Sequence, residues 1–232
     1  MNLLLLAIAP ICVVVIYIYV KDKYDKEPKR LLLLSFICGA LVSILITTLL
    51  YAGFDYVLPL TNHFGIQELF IKAFFVVGLT EEFSKYIIVR YVSQPRKAFN
   101  EPFDGIIYAV MVSMGFAATE NVMYVLNGGY EVAIIRAFSA IPAHAVFAII
   151  MGYFMGKAKF SNHMARLNLT GLFLAVLFHG AYDFFLFIDF IPGVWIGTGI
   201  SLLIGLFLSR QAIGKHLETS KLWMRKKSRT KP

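Results

Sequence analysis

Residues 68–92 read ELFIKAFFVVGLTEEFSKYIIVRYV, an apolar run long enough to cross a bilayer that nevertheless holds Glu81, Glu82 and Lys85. A hydrocarbon core about 30 Å thick needs roughly 20 apolar residues in a helix. An ionisable side chain inside it costs about 2.5–3.5 kcal/mol on insertion scales, so each one requires a partner or a purpose. On a helix Lys85 lies four residues from Glu81 and three from Glu82, and can pair with either carboxylate. Spacing then leaves the other carboxylate without a local counter-ion. A satisfied interhelical ion pair is the plain reading; an adjacent Glu-Glu in mid-span favours chemistry over it.

The rest of the chain supports a membrane setting. Of 232 residues, 59% are hydrophobic and 16% charged, with a mean hydropathy of +0.72, which excludes an ordinary soluble domain. Apolar runs at 3–20, 31–52, 68–92, 104–127, 132–156, 168–189 and 193–209 predict an all-α, polytopic membrane bundle of about seven transmembrane helices, the last short and Gly-rich. The net charge is +8, and 19 of the 22 Lys and Arg fall at 21–30, 90–97, 157–166 and beyond 209. These places alternate with cation-free gaps at 53–67, 128–131 and 190–192. The positive-inside rule therefore predicts the N-terminus outside and the C-terminus in the cytoplasm. Cations follow the first apolar run and do not precede it, so 3–20 reads as a retained span and not a signal peptide.

One membrane domain is expected over 1–209, with a basic cytoplasmic tail over 210–232 that suits anionic lipid headgroups. No aromatic stacking platform accompanies the basic residues, so nucleic acid is not an expected partner. Cys12 and Cys38 lie in apolar runs without paired spacing and read as small buried hydrophobes. Gly152 and Gly156 form a GxxxG pair suited to close helix packing.

Three further spans carry unexpected polar groups. Glu120-Asn121 interrupts the fourth, where an interhelical hydrogen-bond pair and a chemical role are both open readings. His144 stands in the fifth, two residues after Pro142, whose missing donor would free a carbonyl about one turn earlier. In the sixth, His179 and Asp183 share one helix face a turn apart. That pair can orient a histidine tautomer, supply two metal ligands, or hold a donor toward an oxyanion. At about 1.5 Å per residue, Glu81, Glu120, His144, His179 and Asp183 fall in one layer roughly 9–20 Å below the outer boundary, with Lys85 deeper, near 25 Å. A layer of carboxylates and histidines holds the parts for activating water against a carbonyl, namely a base, a proton donor and an oxyanion partner.

Glu81-Glu82-Phe83-Ser84-Lys85 resembles the EExxK motif of the PrsW family of bacterial intramembrane proteases, and His179-Gly180-Ala181-Tyr182-Asp183 its HxxxD motif. Tyr24-Asp25-Lys26-Glu27-Pro28 is similar to the family's YDxEP segment. Phe103-Asp104-Gly105-Ile106-Ile107-Tyr108, Gly115-Phe116-Ala117 and Glu120-Asn121 resemble its central block. The similarity runs in order from about residue 10 to 187. It implies an endopeptidase of the bacterial cell membrane that makes the first cut in a single-span, membrane-bound anti-sigma factor such as RsiW during envelope stress. The family is also similar to type II CAAX prenyl proteases and bacteriocin-immunity proteins. By that likeness Glu81 or Glu82 would activate water with His144, while His179 and Asp183 would stabilise the oxyanion, and Lys85, Glu120 and Asn121 would support them.

Two histidines with a carboxylate also suit zinc, with His144, His179, Asp183 and Glu82 as the ligand set. No HExxH is present and neither histidine has another at i+4, so the residues favour a metal-independent glutamate mechanism. Intramembrane carboxylates and histidines could also serve a proton-coupled transporter. Inverted repeats and helices broken at matched positions, expected there, are missing from the sequence. A non-catalytic scaffold or immunity factor is the remaining alternative.

Overall fold

A computed structural model describes residues 2–60 and 65–229, the last six by backbone alone. The described residues contain helices and no strand, as expected where backbone polar groups must be satisfied within each segment. The helices are α1 (Leu3–Lys21), α2 (Lys29–Val57), α3 (66–93), α4 (Phe103–Phe138), α5 (Ala140–Lys159), α6 (Met164–Phe187) and α7 (Ile196–Arg229). Five stretches are long and apolar enough to cross a membrane: Leu3–Lys21, Lys29–Val57, Phe103–Lys159, Met164–Phe187 and Ile196–Trp223. The third of these contains both α4 and α5. Their outward faces are rich in exposed Leu, Ile, Val and Phe, which suits lipid and not water.

α4 is the axis of the bundle. Every residue from Phe103 to Ala118 is buried, because α1, α2 and α5 surround it. Such contact requires backbones to approach closely. A Cβ on Gly115 would lie 2.0 Å from the Phe36 carbonyl oxygen, and one on Gly39 2.0 Å from that of Val112, so α2 crosses α4 through this pair. The GxxxG pair does the same on the opposite flank, since a Cβ on Gly152 would lie 2.4 Å from the Gly105 carbonyl oxygen.

Three π-helical stretches widen these helices: Gly39–Ser43 in α2, and Lys72–Gly78 and Val89–Ser93 in α3. A π-turn rotates the residues that follow it, and such turns are frequent at functional sites. The Lys72–Gly78 turn packs on α6 and directly precedes Glu81 and Glu82. Beside them, Ser84 joins α2 through Ser43 at 2.6 Å and Thr47 at 2.9 Å.

The helices depart from the expected runs at two places. The chain breaks at Gly129, whose φ of +72° lies in the left-handed region, and continues helically to Phe138 before breaking again at Ser139. Residues 132–138 therefore belong to the end of α4 and not to the fifth run. Pro142 falls in the first turn of α5, where a missing N–H goes unmissed, so it frees no carbonyl. His144 accordingly stands in the second turn of α5 and not midway along a span. α7 also runs past 209, because Ser209, Ile213, His216 and Ser220 recur at helical spacing and bury one face.

Two motif segments meet at the cation-rich end. Glu27 accepts a hydrogen bond from the Tyr108 hydroxyl, and Asp104 Oδ2 accepts from the Asn100 and Glu101 N–H groups at 2.6 and 2.8 Å. Asp22, Glu27, Glu101 and Asp104 are all buried, and none forms an ion pair among the described residues. Burial pushes the carboxyls of Glu27 and Glu101 up from 4.5 to about 7.

A carboxyl raised on folding binds its proton more tightly in the native state. Its stabilising contribution is complete below pH 4.5 and is lost as pH rises through about 7. Melting temperature in detergent should therefore fall between those limits as pH rises. Glu27→Gln and Glu101→Gln should flatten that profile and raise Tm at pH 8; unchanged profiles would refute the assignment. Gly115→Val should destabilise at the upper end of about 1–3 kcal/mol, read as a lowered Tm in the same assay.

Candidate active site

Lys85 lies where α3, α4 and α5 converge. Its Nζ is 2.7 Å from Glu82 Oε1, 3.4 Å from Glu81 Oε2 and 3.3 Å from His144 Nδ1, and 4.2 Å from the Phe116 ring centroid. Glu81 and Glu82 thus share one ammonium. Lys85 belongs to the cluster, correcting the depth count that set it apart: the ammonium at the end of a flexible four-carbon stem reaches well away from its own Cα.

An ammonium only donates, so His144 Nδ1 accepts from Lys85 and the ring hydrogen resides on Nε2. That nitrogen donates to Glu120 Oε2 at 2.9 Å. The same oxygen accepts from Arg136 at 2.9 Å, and the Arg136 Nε donates to Asn121 Oδ1 at 2.7 Å. Asn121 in turn donates to the Ala7 carbonyl at 2.8 Å, fastening the chain of contacts to α1. Glu120 and Asn121 therefore form a hydrogen-bonded interhelical set that also reaches His144.

His179 approaches from α6, with its ring stacked on Phe147 at 4.7 Å. Its Nδ1 is 2.9 Å from Glu82 Oε1, and its Nε2 is 3.3 Å from Asp183 Oδ2 and 4.0 Å from Glu81 Oε2. Each ring nitrogen of His179 thus faces a carboxylate oxygen, and an ionised carboxylate can only accept from it. The centroids of the His144 and His179 rings lie 5.6 Å apart, nearly perpendicular. All eight residues singled out from the sequence thus fall in one connected network.

A cavity of about 900 Å³ opens onto this network. Glu81, Glu120, His144, His179 and Asp183 line it, whereas Glu82 and Lys85 stand behind its wall. The remaining lining includes Tyr51, Phe138, Leu186 and Trp195, at the ends of helices away from the 21–30 and 157–166 cation clusters, and Lys72 and Arg136 are the cations among the lining residues. Glu81 also accepts a hydrogen bond from the Tyr51 hydroxyl at 2.8 Å.

Sequence reasoning missed Tyr51 and Arg136. Arg136 carried a usable signal, a cation within an apolar run; Tyr51 at a span end looks like any interfacial aromatic.

An apolar helical bundle with buried carboxylates and histidines around a cavity has the parts of a membrane-embedded hydrolase. Residues 27–209 match the family model described as PrsW family intramembrane metalloprotease. The chain is 40% identical over 187 residues to Protease PrsW of Oceanobacillus iheyensis, covering 80% of this chain and 83% of that one. It is 39% identical over 181 residues to Protease PrsW of Bacillus subtilis, with 77% and 80% covered. Against Protease PrsW of Clostridioides difficile it is 38% identical over 198 residues, with 82% and 81% covered. No solved structure matches. The chain belongs to the PrsW family of intramembrane proteases.

The family description names a metal, and the residues here do not fit one as arranged. A metal takes lone pairs from its ligands. The Nδ1 lone pair of His144 faces Lys85, its Nε2 faces Glu120, and both nitrogens of His179 face carboxylates. Among the described residues, no three His, Cys, Asp or Glu side chains are disposed to hold an ion.

Arg136→Ala should leave Glu120 held by His144 alone and Asn121 Oδ1 without its donor, and lower cleavage about 100-fold through loss of His144 positioning. Arg136→Lys should recover little of it, because a single ammonium does not reproduce the two-point contact. Cleavage of a membrane-bound reporter, normalised to the amount of protein in the membrane, checks both.

Proposed function

We propose that this protease cleaves a single-span membrane protein of the anti-sigma-factor class near the outer face of a bacterial cytoplasmic membrane, with Glu81 activating water. The observation that carries the reading is the exposure of Glu81, His179 and Asp183 on the wall of one cavity while Glu82 is sealed behind it. A base must reach the water it deprotonates. Glu81 does; Glu82 anchors Lys85 and His179 instead. His179, 4.0 Å from Glu81, lies beside the reacting water, and turning its Nε2–H from Asp183 at 3.3 Å to the oxyanion supplies the donor as the bond to water forms. The protonated Glu81 then returns its proton to the leaving amine. No step passes through a metal.

The outer-face assignment rests on seven spans with the N-terminus outside, supported by the gathering of cations on alternate connections. The cavity borders the other, cation-poor side, where Lys72 and Arg136 are the lining cations, which suits an extracytoplasmic first cut better than a cytosolic prenylated C-terminus. The basic residues beyond 209 then face the cytoplasm and anionic lipid.

Co-expression with candidate single-span anti-sigma factors tests this directly. Immunoblots should show a shortened substrate with wild type and none with Glu81→Gln, Glu82→Gln, His144→Ala or His179→Ala, each variant still accumulating in the membrane. A loss of at least about 100-fold is expected for Glu81→Gln. Full cleavage by all four variants would exclude the mechanism.

A further inference from the structure

The Lys85 ammonium is ringed by donors of the kinds that ligate zinc, at hydrogen-bond and not ligand distances while the lysine stands among them. Two carboxylate oxygens and an imidazole lone pair converge on it. The lysine is 1% exposed and its stem rises from the same helix as both glutamates, so the charge is built into α3 and cannot diffuse away. Phe116 covers the ammonium with its ring face.

We propose that Lys85 is the resident cation of this site, occupying the place that zinc takes in metallopeptidases. It neutralises the paired carboxylates, and it keeps His144 in the tautomer whose Nε2–H meets Glu120. It has no vacant orbital with which to polarise a carbonyl. Lys85 is therefore a positioning residue, and the wild-type centre excludes a divalent ion by occupying its place. Its effect on cleavage rests on the hydrolase reading above; its competition with a metal does not.

The test separates the two. Wild type, Lys85→Met and Lys85→Arg are purified in detergent after chelation, exposed to zinc, desalted, and assayed for bound metal and for Tm with and without zinc. Wild type and Lys85→Arg should hold only trace zinc and show no zinc-dependent Tm. Lys85→Met removes the charge at similar volume and frees Glu81, Glu82 and His144. It should retain about one equivalent and melt higher with zinc. Adding His144→Ala to Lys85→Met should abolish that gain.

Stoichiometric zinc in wild type would overturn the proposal, as would a folded Lys85→Met chain that takes up none. Should Lys85→Met fail to accumulate, Lys85→Gln answers the same question, and the wild-type metal content remains decisive alone. Failure of the cleavage assay would sink the hydrolase reading and leave the zinc result standing. Stoichiometric wild-type zinc would sink this proposal and the metal-free route above, and leave cleavage by the membrane protease standing.

Discussion

A lysine ammonium enclosed in an apolar bundle is the constraint around which the rest of the site is arranged. Removing one charge from water costs several kcal/mol even after relaxation, and that cost is recovered only with close, well-directed partners. Lys85 has them in Glu82, Glu81 and His144, and each of those must then satisfy its remaining polar atoms. Glu81 does so through Tyr51 and His144 through Glu120, whereas Glu82 takes Lys85 and His179 on one oxygen and leaves the other, Oε2, buried without a partner. Helices α2, α6 and α4 are thereby tied to one charge on α3 and to one another. A network this dry is costly to leave half-formed, which makes its members interdependent.

The two polar clusters of the molecule follow opposite electrostatic logic. At the centre, four carboxylates face Lys85, Arg136 and His179, so the acidic groups meet basic partners within the protein. At the cation-rich end, Asp22, Glu27, Glu101 and Asp104 are buried without ion pairs among the described residues, and burial pushes the carboxyls of Glu27 and Glu101 up toward neutrality. The first arrangement fixes charges for chemistry. The second makes the joint between the α1–α2 connection and α4 sensitive to acidity near neutrality.

Much of this could be read in the sequence because intramembrane charge is expensive. Glu81, Glu82, Lys85, Glu120, His144, His179 and Asp183 each stood out against apolar neighbours, and each lies in the network. What could not be read follows from geometry that spacing does not encode. The preference between Glu81 and Glu82 depends on which carboxylate faces the cavity, and adjacent residues on a helix differ in this by about 100°. The π-turn at Lys72–Gly78 shifts that phase again. The reversal at Ser139 was hidden because residues 132–138 and α5 are equally apolar, and only the placement of Pro142 in a first turn explains where one helix ends and the next begins. The packed part of α7 beyond 209 was masked by its cations, whose spacing leaves a buried stripe between them.

Gly129 divides α4 into an immobilised shaft and a short distal piece. The shaft is clamped backbone to backbone at Gly115 and Gly105, so it offers no freedom to a polypeptide seeking entry. The distal piece leaves Gly129 at a fixed bend, is seated on α1 through Ala133 and Ala7, and carries Arg136 at the cavity rim. The guanidinium ties that piece to Glu120 and Asn121, so the bend at one glycine sets both the rim of the cavity and the oxygen that His144 meets.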